Sequence, residues 1–263
     1  MVIFNKNEKF LLGHRGDPKN FAENTVKSFS SCMGSGALGF ETDVHLTSDN
    51  QLVISHDAKL SNEIKITEST FEVIRNFSPN IPTLNEVLEI FEGALIDIEI
   101  KPIETEVDYE GTLKSISKLN DQSQSTPTIK KITEVLLKTI LRFDVQNLLA
   151  TSFCLDQLVD IKKQADDTFS GRLATGYLFY PKNFTSPEEV LLQTLEAAQV
   201  CNKFNFDFFL PHHITMTQEF LEQTEQFDFK MIAWTVNDMT EATRLLEFEQ
   251  VQGIISDYPN LLQ

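Results

Sequence analysis

Short apolar runs alternate with segments of helical periodicity along most of this sequence. Apolar runs between turn residues are typical of buried strands, whereas apolar positions three and four apart are typical of helices that pack on one side. The pattern predicts strands at 10–13, 39–46, 94–100, 148–153, 172–179, 206–210, 230–236 and 253–256. It predicts helices at 23–33, 82–91, 128–143, 155–164, 187–201, 217–226 and 239–248, and a short one at 68–76.

This alternation predicts an α/β fold. Eight strands that alternate with helices in about 250 residues match the count and size of a (β/α)₈ TIM barrel. The alternative is an open doubly wound sheet, whose first turn is expected to carry a glycine fingerprint. The group 13–16, Gly-His-Arg-Gly, does not match that fingerprint. We therefore predict a barrel that forms a single domain over residues 1–263.

The stretch after the second strand departs from the alternation. Residues 52–55 form a further extended run, and only 12 residues separate Asp43 from His56. That spacing is too short for a helical crossover between parallel strands. We predict a β-hairpin that carries His56 back over strand two. The remaining residues before Pro82 leave room only for a reduced insertion between strands two and three.

Composition limits the partners that we expect. The net charge is −17, from 39 acidic and 22 basic residues, which argues against nucleic acid and anionic membranes as partners. Cys32, Cys154 and Cys201 lack metal-ligand spacing and indicate reduced thiols of a cytoplasmic protein. We find no signal peptide and no apolar run of about 18 residues, so we expect no membrane insertion. The long acidic and polar segment 102–127, with a possible helix near 110–119, is expected to be functional or mobile.

Charged and imidazole side chains collect at the predicted strand ends, where barrel enzymes hold their active sites. His14 and Arg15 follow strand one, and His56 follows the hairpin. Because side chains on a strand alternate, Glu41 and Asp43 share one face, as do Glu99 and Lys101. Carboxylates, imidazoles and cations are therefore expected to lie together at one rim of the barrel.

An ordered set of motifs runs from about residue 10 to residue 260. Its members are His14-Arg15-Gly16, Glu23-Asn24-Thr25, Glu41-Thr42-Asp43, Thr47-x-Asp49, His56-Asp57, Pro82-Thr83-Leu84, Glu99-x-Lys101, Ser152-Phe153, Trp234-Thr235-Val236-Asn237 and Gly253-Ile254-Ile255-Ser256-Asp257. This order resembles the glycerophosphodiester phosphodiesterase family. The resemblance implies a metal-dependent hydrolase of glycerophosphodiesters that frees an alcohol and leaves glycerol 3-phosphate.

The resemblance also assigns roles to the residues that match. The implied metal ligands are Glu41, Asp43 and Glu99, the implied acid–base pair is His14 and His56, and the implied phosphate-binding residues are Arg15 and Lys101. Carboxylates without a nearby cysteine suit Mg²⁺ or Ca²⁺ better than zinc. Imidazoles exchange protons near neutral pH, and guanidinium and ammonium groups bind phosphate.

Further residues receive weaker assignments. Trp234 is expected either to pack against the glycerol or the leaving group or to belong to the barrel core. Asp57 is expected to orient the His56 loop or to cap the following turn. We assign His45 and the pair at 212–213 to structure or loop surface. Ala22 replaces a proline usual in the family, and 58–62 lacks the family's arginine and threonines, so the substrate pocket departs from the family pattern there.

Two alternatives remain open from the sequence. The same site could cleave a lysophospholipid or phosphatidylglycerol, which would need an apolar groove or a membrane-facing patch. The chain could instead be a non-catalytic domain that binds a phosphodiester. Loss of either His14 or His56 would favour that alternative, and both are present.

Overall fold

The computed structural model describes residues 8–61, 64–101, 126–143, 145–170, 172–182 and 186–263. Within these ranges one sheet contains nine strands. They are β1 (Phe10–Gly13), β2 (Gly39–Leu46), β3 (Leu52–Ile54), β4 (Leu95–Ile100), β5 (Leu148–Ser152), β6 (Ala174–Phe179), β7 (Phe208–Pro211), β8 (Lys230–Ala233) and β9 (Val251–Ser256).

Eight of these strands form a closed parallel barrel in the order β1, β2, β4, β5, β6, β7, β8, β9. Closure comes from β1, which pairs in parallel with β2 on one side and with β9 on the other. An open sheet has two unpaired edges, so this pairing excludes the doubly wound alternative. The predicted (β/α)₈ barrel is therefore confirmed.

The strand β3 forms the predicted hairpin. It runs antiparallel to β2, with Val44 opposite Ile54 and Leu46 opposite Leu52. The backbone N–H of Ser55 continues the pairing by donating to the Asp43 carbonyl at 3.0 Å. The chain after β3 therefore returns over the carboxyl end of β2 before it turns away.

Helices surround the barrel, and all but the second pack on its outer face. They are α1 (Val26–Gly34), α2 (Phe71–Phe77), α3 (Leu84–Ile90), α4 (Pro127–Ile140), α5 (Leu155–Phe169), α6 (Pro187–Lys203), α7 (Gln218–Thr224) and α8 (Met239–Leu246). Most begin at a threonine or serine whose hydroxyl accepts the third backbone N–H of the helix. Within the described ranges, none of the helices is long and apolar enough to cross a membrane.

Side chains alternate between the two faces of each barrel strand. On β1, Phe10 and Leu12 belong to the cluster inside the barrel, whereas Leu11 packs outward beneath the helices. On β4, Ile96 and Ile98 pack outward. Because the period is two, the inward positions at the carboxyl end of each strand all point to the same rim.

Some boundaries differ from the predictions. The helix predicted at 155–164 continues to Phe169, because Ala165 and Phe169 extend its buried stripe. The strand predicted at 230–236 ends at Ala233. Beyond it Trp234 forms only an isolated bridge with His212, and the Val236 N–H donates to the Ile255 carbonyl at 2.9 Å. The reduced insertion after β3 contains α2 and a small apolar cluster around Ile66 and Ile74. The possible helix at 110–119 lies outside the described residues, as does nearly all of 102–127, and the single domain stays a prediction.

Candidate active site

A cavity of about 550 Å³ opens at the carboxyl ends of the barrel strands. One side carries the polar residues His14, Arg15, Glu41, His56, Glu99 and Lys101. The other side carries Phe153, Leu178, Tyr180, Pro181, Lys182, Trp234 and Ile255. Seven of the eight residues predicted to form the site therefore line one cavity. The eighth, Asp43, is buried beside Glu41 and Glu99.

The pairing of β2 with β4 brings the three carboxylates together. In the parallel register Asp43 lies opposite Glu99, and Glu41 lies opposite Asp97. All four side chains occupy inward positions at the rim of the barrel and are buried. One carboxylate oxygen from each of Glu41, Asp43 and Glu99 lies within 4.8 Å of the others.

Two cations compensate this buried negative charge. The Lys101 ammonium lies 2.7 Å from Asp43 Oδ1 and 2.6 Å from Glu99 Oε1. The Arg15 guanidinium lies 3.4 Å from Asp43 Oδ2 and also pairs with Glu23 at 2.9 Å. The residues predicted to bind phosphate are thus ion-paired with carboxylates at the floor of the cavity.

The pKa is raised for Glu41 and Glu99 and lowered for Asp43. Burial raises the pKa of Glu41 well above its usual value, and the charges of Asp43 and Glu99 add to that effect. Burial also raises the pKa of Glu99, to about 7, although Lys101 opposes the change. For Asp43 the ammonium of Lys101 and the guanidinium of Arg15 outweigh burial and lower the pKa to about 2. Burial and mutual repulsion therefore disfavour the charged forms of Glu41 and Glu99, and a cation bound between them would offset that cost.

The carboxylate cluster fits a hard divalent cation. Among the described residues, the buried Glu41 Oε1 has no hydrogen-bond partner. All three side chains offer oxygen, the ligand atom that Mg²⁺ and Ca²⁺ prefer. Oxygen ligands lie about 2.3–2.6 Å from Ca²⁺, so two of them on opposite sides are up to about 5 Å apart, which accommodates the observed spread.

The loop after β1 is shaped by two residues with left-handed backbone conformations, Arg15 (φ 53°) and Asn24 (φ 56°). The Arg15 N–H donates to Glu41 Oε2 at 2.9 Å, and the Asn24 N–H donates to the Arg15 carbonyl at 3.1 Å. The Asn24 side chain donates to Asp43 Oδ2 at 2.7 Å and accepts from the Thr42 hydroxyl at 2.9 Å. The sequence interpretation gave Asn24 no role, although asparagine tolerates this conformation better than most residues.

Each of the two cavity histidines is paired with a carboxylate through Nδ1. His14 Nδ1 lies 2.7 Å from Asp257 Oδ1, and His56 Nδ1 lies 2.8 Å from Asp57 Oδ1. The predicted link between Asp57 and His56 is therefore present as a direct contact. Asp257 received no role from the sequence. Two signals could have found it, namely its place two residues after the inward-facing Ile255 and the closure of the barrel between β1 and β9.

The remaining histidines lie outside the cavity lining. His45 is buried, and its Nε2 lies 3.1 Å from the His56 carbonyl, so it supports the hairpin. His212 contacts the rings of Tyr180 and Trp234, each at 5.0 Å between ring centroids. Burial and the neighbouring His213 lower the pKa of His212 to about 4, so it is neutral at physiological pH.

Aromatic side chains form another part of the cavity wall. Trp234 donates from Nε1 to the Leu210 carbonyl at 2.8 Å, which fixes its ring at the rim. Phe153 meets the Trp234 ring edge to face at 5.4 Å, and Tyr180 lies 6.1 Å from it. The sequence interpretation proposed Trp234 alone for this wall. The inward positions that follow β5 and β6 supply the other two rings.

Residues 14–261 match the model of the glycerophosphoryl diester phosphodiesterase family. The chain belongs to this family. A glycerophosphodiester phosphodiesterase from Caldanaerobacter subterraneus subsp. tengcongensis is 28% identical, in a match that covers 96% of this chain and 95% of the relative. The mouse protein named lysophospholipase D GDPD1 is 23% identical, with 98% of this chain and 87% of the relative covered. The predicted family and the predicted class of enzyme, a phosphoric diester hydrolase, are confirmed by these matches.

Solved structures share the fold. A glycerophosphodiester phosphodiesterase from Thermotoga maritima has a TM-score of 0.68 at 23% identity, and the match covers 97% of this chain and 96% of that one. A phosphodiesterase from Oleispira antarctica, solved in complex with the product sn-glycerol-3-phosphate, has a TM-score of 0.72 at 20% identity, with 96% and 94% covered. At these identities the similarity shows the shared barrel fold alone.

Proposed function

We propose that this protein hydrolyses glycerophosphodiesters to an alcohol and glycerol 3-phosphate, with a divalent cation, Mg²⁺ or Ca²⁺, at the carboxylate cluster. The observation that carries the proposal is that His14, His56, Arg15 and Lys101 line one cavity together with the cluster of Glu41, Asp43 and Glu99, of which Asp43 is buried beneath the lining. The family match and the glycerol 3-phosphate in the Oleispira antarctica structure support it.

We assign phosphate binding to Arg15, Lys101 and the cation at the carboxylate cluster. Glu41, Asp43 and Glu99 would hold the cation, which supplies a positive field for the charge that builds on the phosphate oxygens. Arg15 offers a planar pair of N–H donors and Lys101 a point charge to the same oxygens. Both cations pair with carboxylates at the cavity floor, which holds their charged ends in place before substrate arrives.

Proton transfer falls to the two histidines. Hydrolysis requires one group to take a proton from the attacking hydroxyl and another to give a proton to the departing alkoxide. His14 and His56 line the same cavity, and each contacts its carboxylate through Nδ1, which leaves Nε2 for the substrate. Each such transfer contributes on the order of 10²–10⁴ to the rate.

A lysophospholipid is a second candidate substrate, cleaved at the same bond. The specific observation in its favour is the apolar side of the cavity, which Phe153, Leu178, Trp234 and Ile255 form together. An acyl chain that leaves the phosphodiester on this side meets aromatic and aliphatic carbon. The mouse relative named lysophospholipase D supports the same candidate.

Two further expectations from composition stay predictions. These are a cytoplasmic location and the absence of nucleic-acid partners. The non-catalytic alternative is disfavoured because both histidines face the cavity.

The decisive experiment measures release of glycerol 3-phosphate from a panel of glycerophosphodiesters. We expect turnover that stops with EDTA and returns with Mg²⁺ or Ca²⁺. Glu41→Gln, which removes one ligand charge at constant shape, should weaken the affinity for the cation. A protein that binds the diesters tightly without product release would contradict the proposal. Including lysophosphatidylcholine in the panel, with choline and lysophosphatidate as the assayed products, tests the second substrate.

A further inference from the structure

The carboxylate of Asp257 belongs to a chain of hydrogen bonds in which each donor and each acceptor can be assigned. Its Oδ1 lies 2.7 Å from His14 Nδ1. Its Oδ2 accepts from Asn237 Nδ2 at 2.9 Å and lies 3.3 Å from the Lys19 ammonium. Two donors therefore hold one oxygen of this carboxylate and leave the other for His14.

The direction of this chain starts at the backbone. The Asp257 N–H donates to Asn237 Oδ1 at 2.9 Å, and the Ser256 hydroxyl contacts the same oxygen at 3.1 Å. A backbone N–H can only donate, so the Asn237 amide must present its oxygen to the backbone and its NH₂ to Asp257. The network itself thus assigns the amide orientation.

From this geometry we propose that Asp257 is a positioning residue that selects the tautomer of His14. Asn237 and Lys19 donate to Oδ2 of Asp257 and so keep its Oδ1 as the acceptor that faces His14. A carboxylate only accepts, so it stabilises the form of His14 that carries a proton on Nδ1. Nε2 then faces the cavity as the atom that takes or returns a proton. The inference rests on the proposed hydrolysis, because it names what keeps one of its two imidazoles in the productive form.

The variant Asp257→Asn tests this directly. Asn237 and Lys19 still donate to the position of Oδ2, so the new amide must place its oxygen there and its NH₂ toward His14. That NH₂ forces Nδ1 to accept and moves the imidazole proton to Nε2. We expect kcat to fall by on the order of 10²–10⁴, with KM nearly unchanged.

A complementary swap restores the direction of the chain. In the double variant Asp257→Asn, Asn237→Asp, the new carboxylate at 237 accepts from the backbone N–H and from the amide at 257. The Lys19 side chain is 44% exposed, so its ammonium is free to turn from position 257 to that new carboxylate. The amide oxygen at 257 then faces His14 and accepts from Nδ1. We expect kcat of the double variant to be at least tenfold higher than kcat of the single Asp257→Asn variant. A merely structural role for Asp257 predicts further loss on the second substitution.

Ring nitrogen NMR of His14 reads the tautomer without turnover. We expect the proton on Nδ1 in the wild type and the swap, and on Nε2 in Asp257→Asn. The proposal is overturned if Asp257→Asn keeps the wild-type tautomer, keeps kcat within about threefold, or is not rescued by the swap. If the wild type hydrolyses no glycerophosphodiester, the proposed function fails, and the NMR result still decides whether Asp257 sets the tautomer.

Discussion

The two histidines of the cavity are held in different ways. His14 and Asp257 are 243 residues apart in sequence, and their side chains are 21% and 20% exposed. His56 and Asp57 are adjacent in sequence, and their side chains are 38% and 77% exposed. Both pairs have nearly the same Nδ1 to carboxylate distance, 2.7 Å and 2.8 Å, so distance alone does not separate them.

The difference lies in what holds each carboxylate. Asp257 is fixed by Asn237 and Lys19 and lies beside the paired strands β1 and β9. Within the described ranges, the carboxylate of Asp57 makes its hydrogen bond to His56 alone. Two groups that are neighbours in sequence can meet without any further support. Only a carboxylate that other residues hold in place, such as Asp257, also determines which atom of the contact donates and which accepts. The following predictions test this contrast, from the largest effect to the smallest.

Removal of either imidazole should abolish most of the turnover. For His14→Ala and His56→Ala we expect kcat for a glycerophosphodiester to fall by on the order of 10²–10⁴ each, because each variant lacks one proton transfer. Steady-state release of glycerol 3-phosphate measures the loss, and His213→Ala is a matched control because His213 is outside the cavity lining and faces Glu241 at 3.6 Å. A rate within a few fold of wild type for either cavity variant would show that the acid–base pair is assigned wrongly.

Removal of the exposed carboxylate should cost little. In Asp57→Asn no second residue in the described ranges fixes the orientation of the new amide, so its oxygen can turn toward His56 and preserve the tautomer. We expect kcat to fall by no more than about tenfold, well short of the 10²–10⁴ expected for Asp257→Asn. Side-by-side kinetics of the two variants measure the contrast. Equal losses would mean that both carboxylates act in the same way.

Chemical modification should distinguish the two imidazoles. Diethyl pyrocarbonate attacks accessible imidazole nitrogens, and the side chain of His56 is nearly twice as exposed as that of His14, at 38% against 21%. We expect His56 to be modified faster than His14 when peptides are followed by mass spectrometry over time. Faster modification of His14 would indicate that its pairing with Asp257 opens readily in solution.

Acid should remove a contribution of Asp257 to stability. Its hydrogen bond with His14 lowers the pKa of this carboxyl, and Asn237 and Lys19 lower it further. A carboxyl with a lowered pKa in the folded state stabilises the protein above its unfolded value of about 3.9, and this contribution is lost as the pH falls below that value. We expect Asp257→Asn to lower Tm by about 2–4 °C at pH 6, the size of a 1 kcal/mol change in a chain of this class, and by less at pH 3.

The control for that measurement is Asp57→Asn, which removes the same formal charge from the other pair. Thermal unfolding of both variants at the two pH values separates a specific contact from a change in net charge. A Tm difference for Asp257→Asn that stays the same from pH 6 to pH 3 would count against the electrostatic explanation.

The sequence was sufficient for features that depend on neighbours along the chain. The bounds of β1 and β2 agree with the predicted 10–13 and 39–46, because each apolar run is bounded by glycine or turn residues. The hairpin followed from the 12 residues between Asp43 and His56. The shared face of Glu41 and Asp43 followed from the period of two and is confirmed by the cluster that they form with Glu99.

Features that depend on strand register could not be predicted in the same way. Lys101 was placed on the face of Glu99, but its contact with Asp43 arises because β2 and β4 pair in one particular register. Asp257 was quoted in a motif without a role, because its partner lies at the other end of the chain. Its function becomes visible only when the first and last strands of the barrel are known to be neighbours.

The closure of β1 against β9 also bears on how the protein matures on the ribosome. At roughly 5–20 residues per second, the 243 residues between His14 and Asp257 take tens of seconds to be synthesised. During that time the nascent chain carries His14, the proposed catalytic imidazole, before its partner carboxylate has been synthesised. We expect a nascent polypeptide arrested before β9 to be inert, which confines hydrolysis to chains whose translation has passed the final strand.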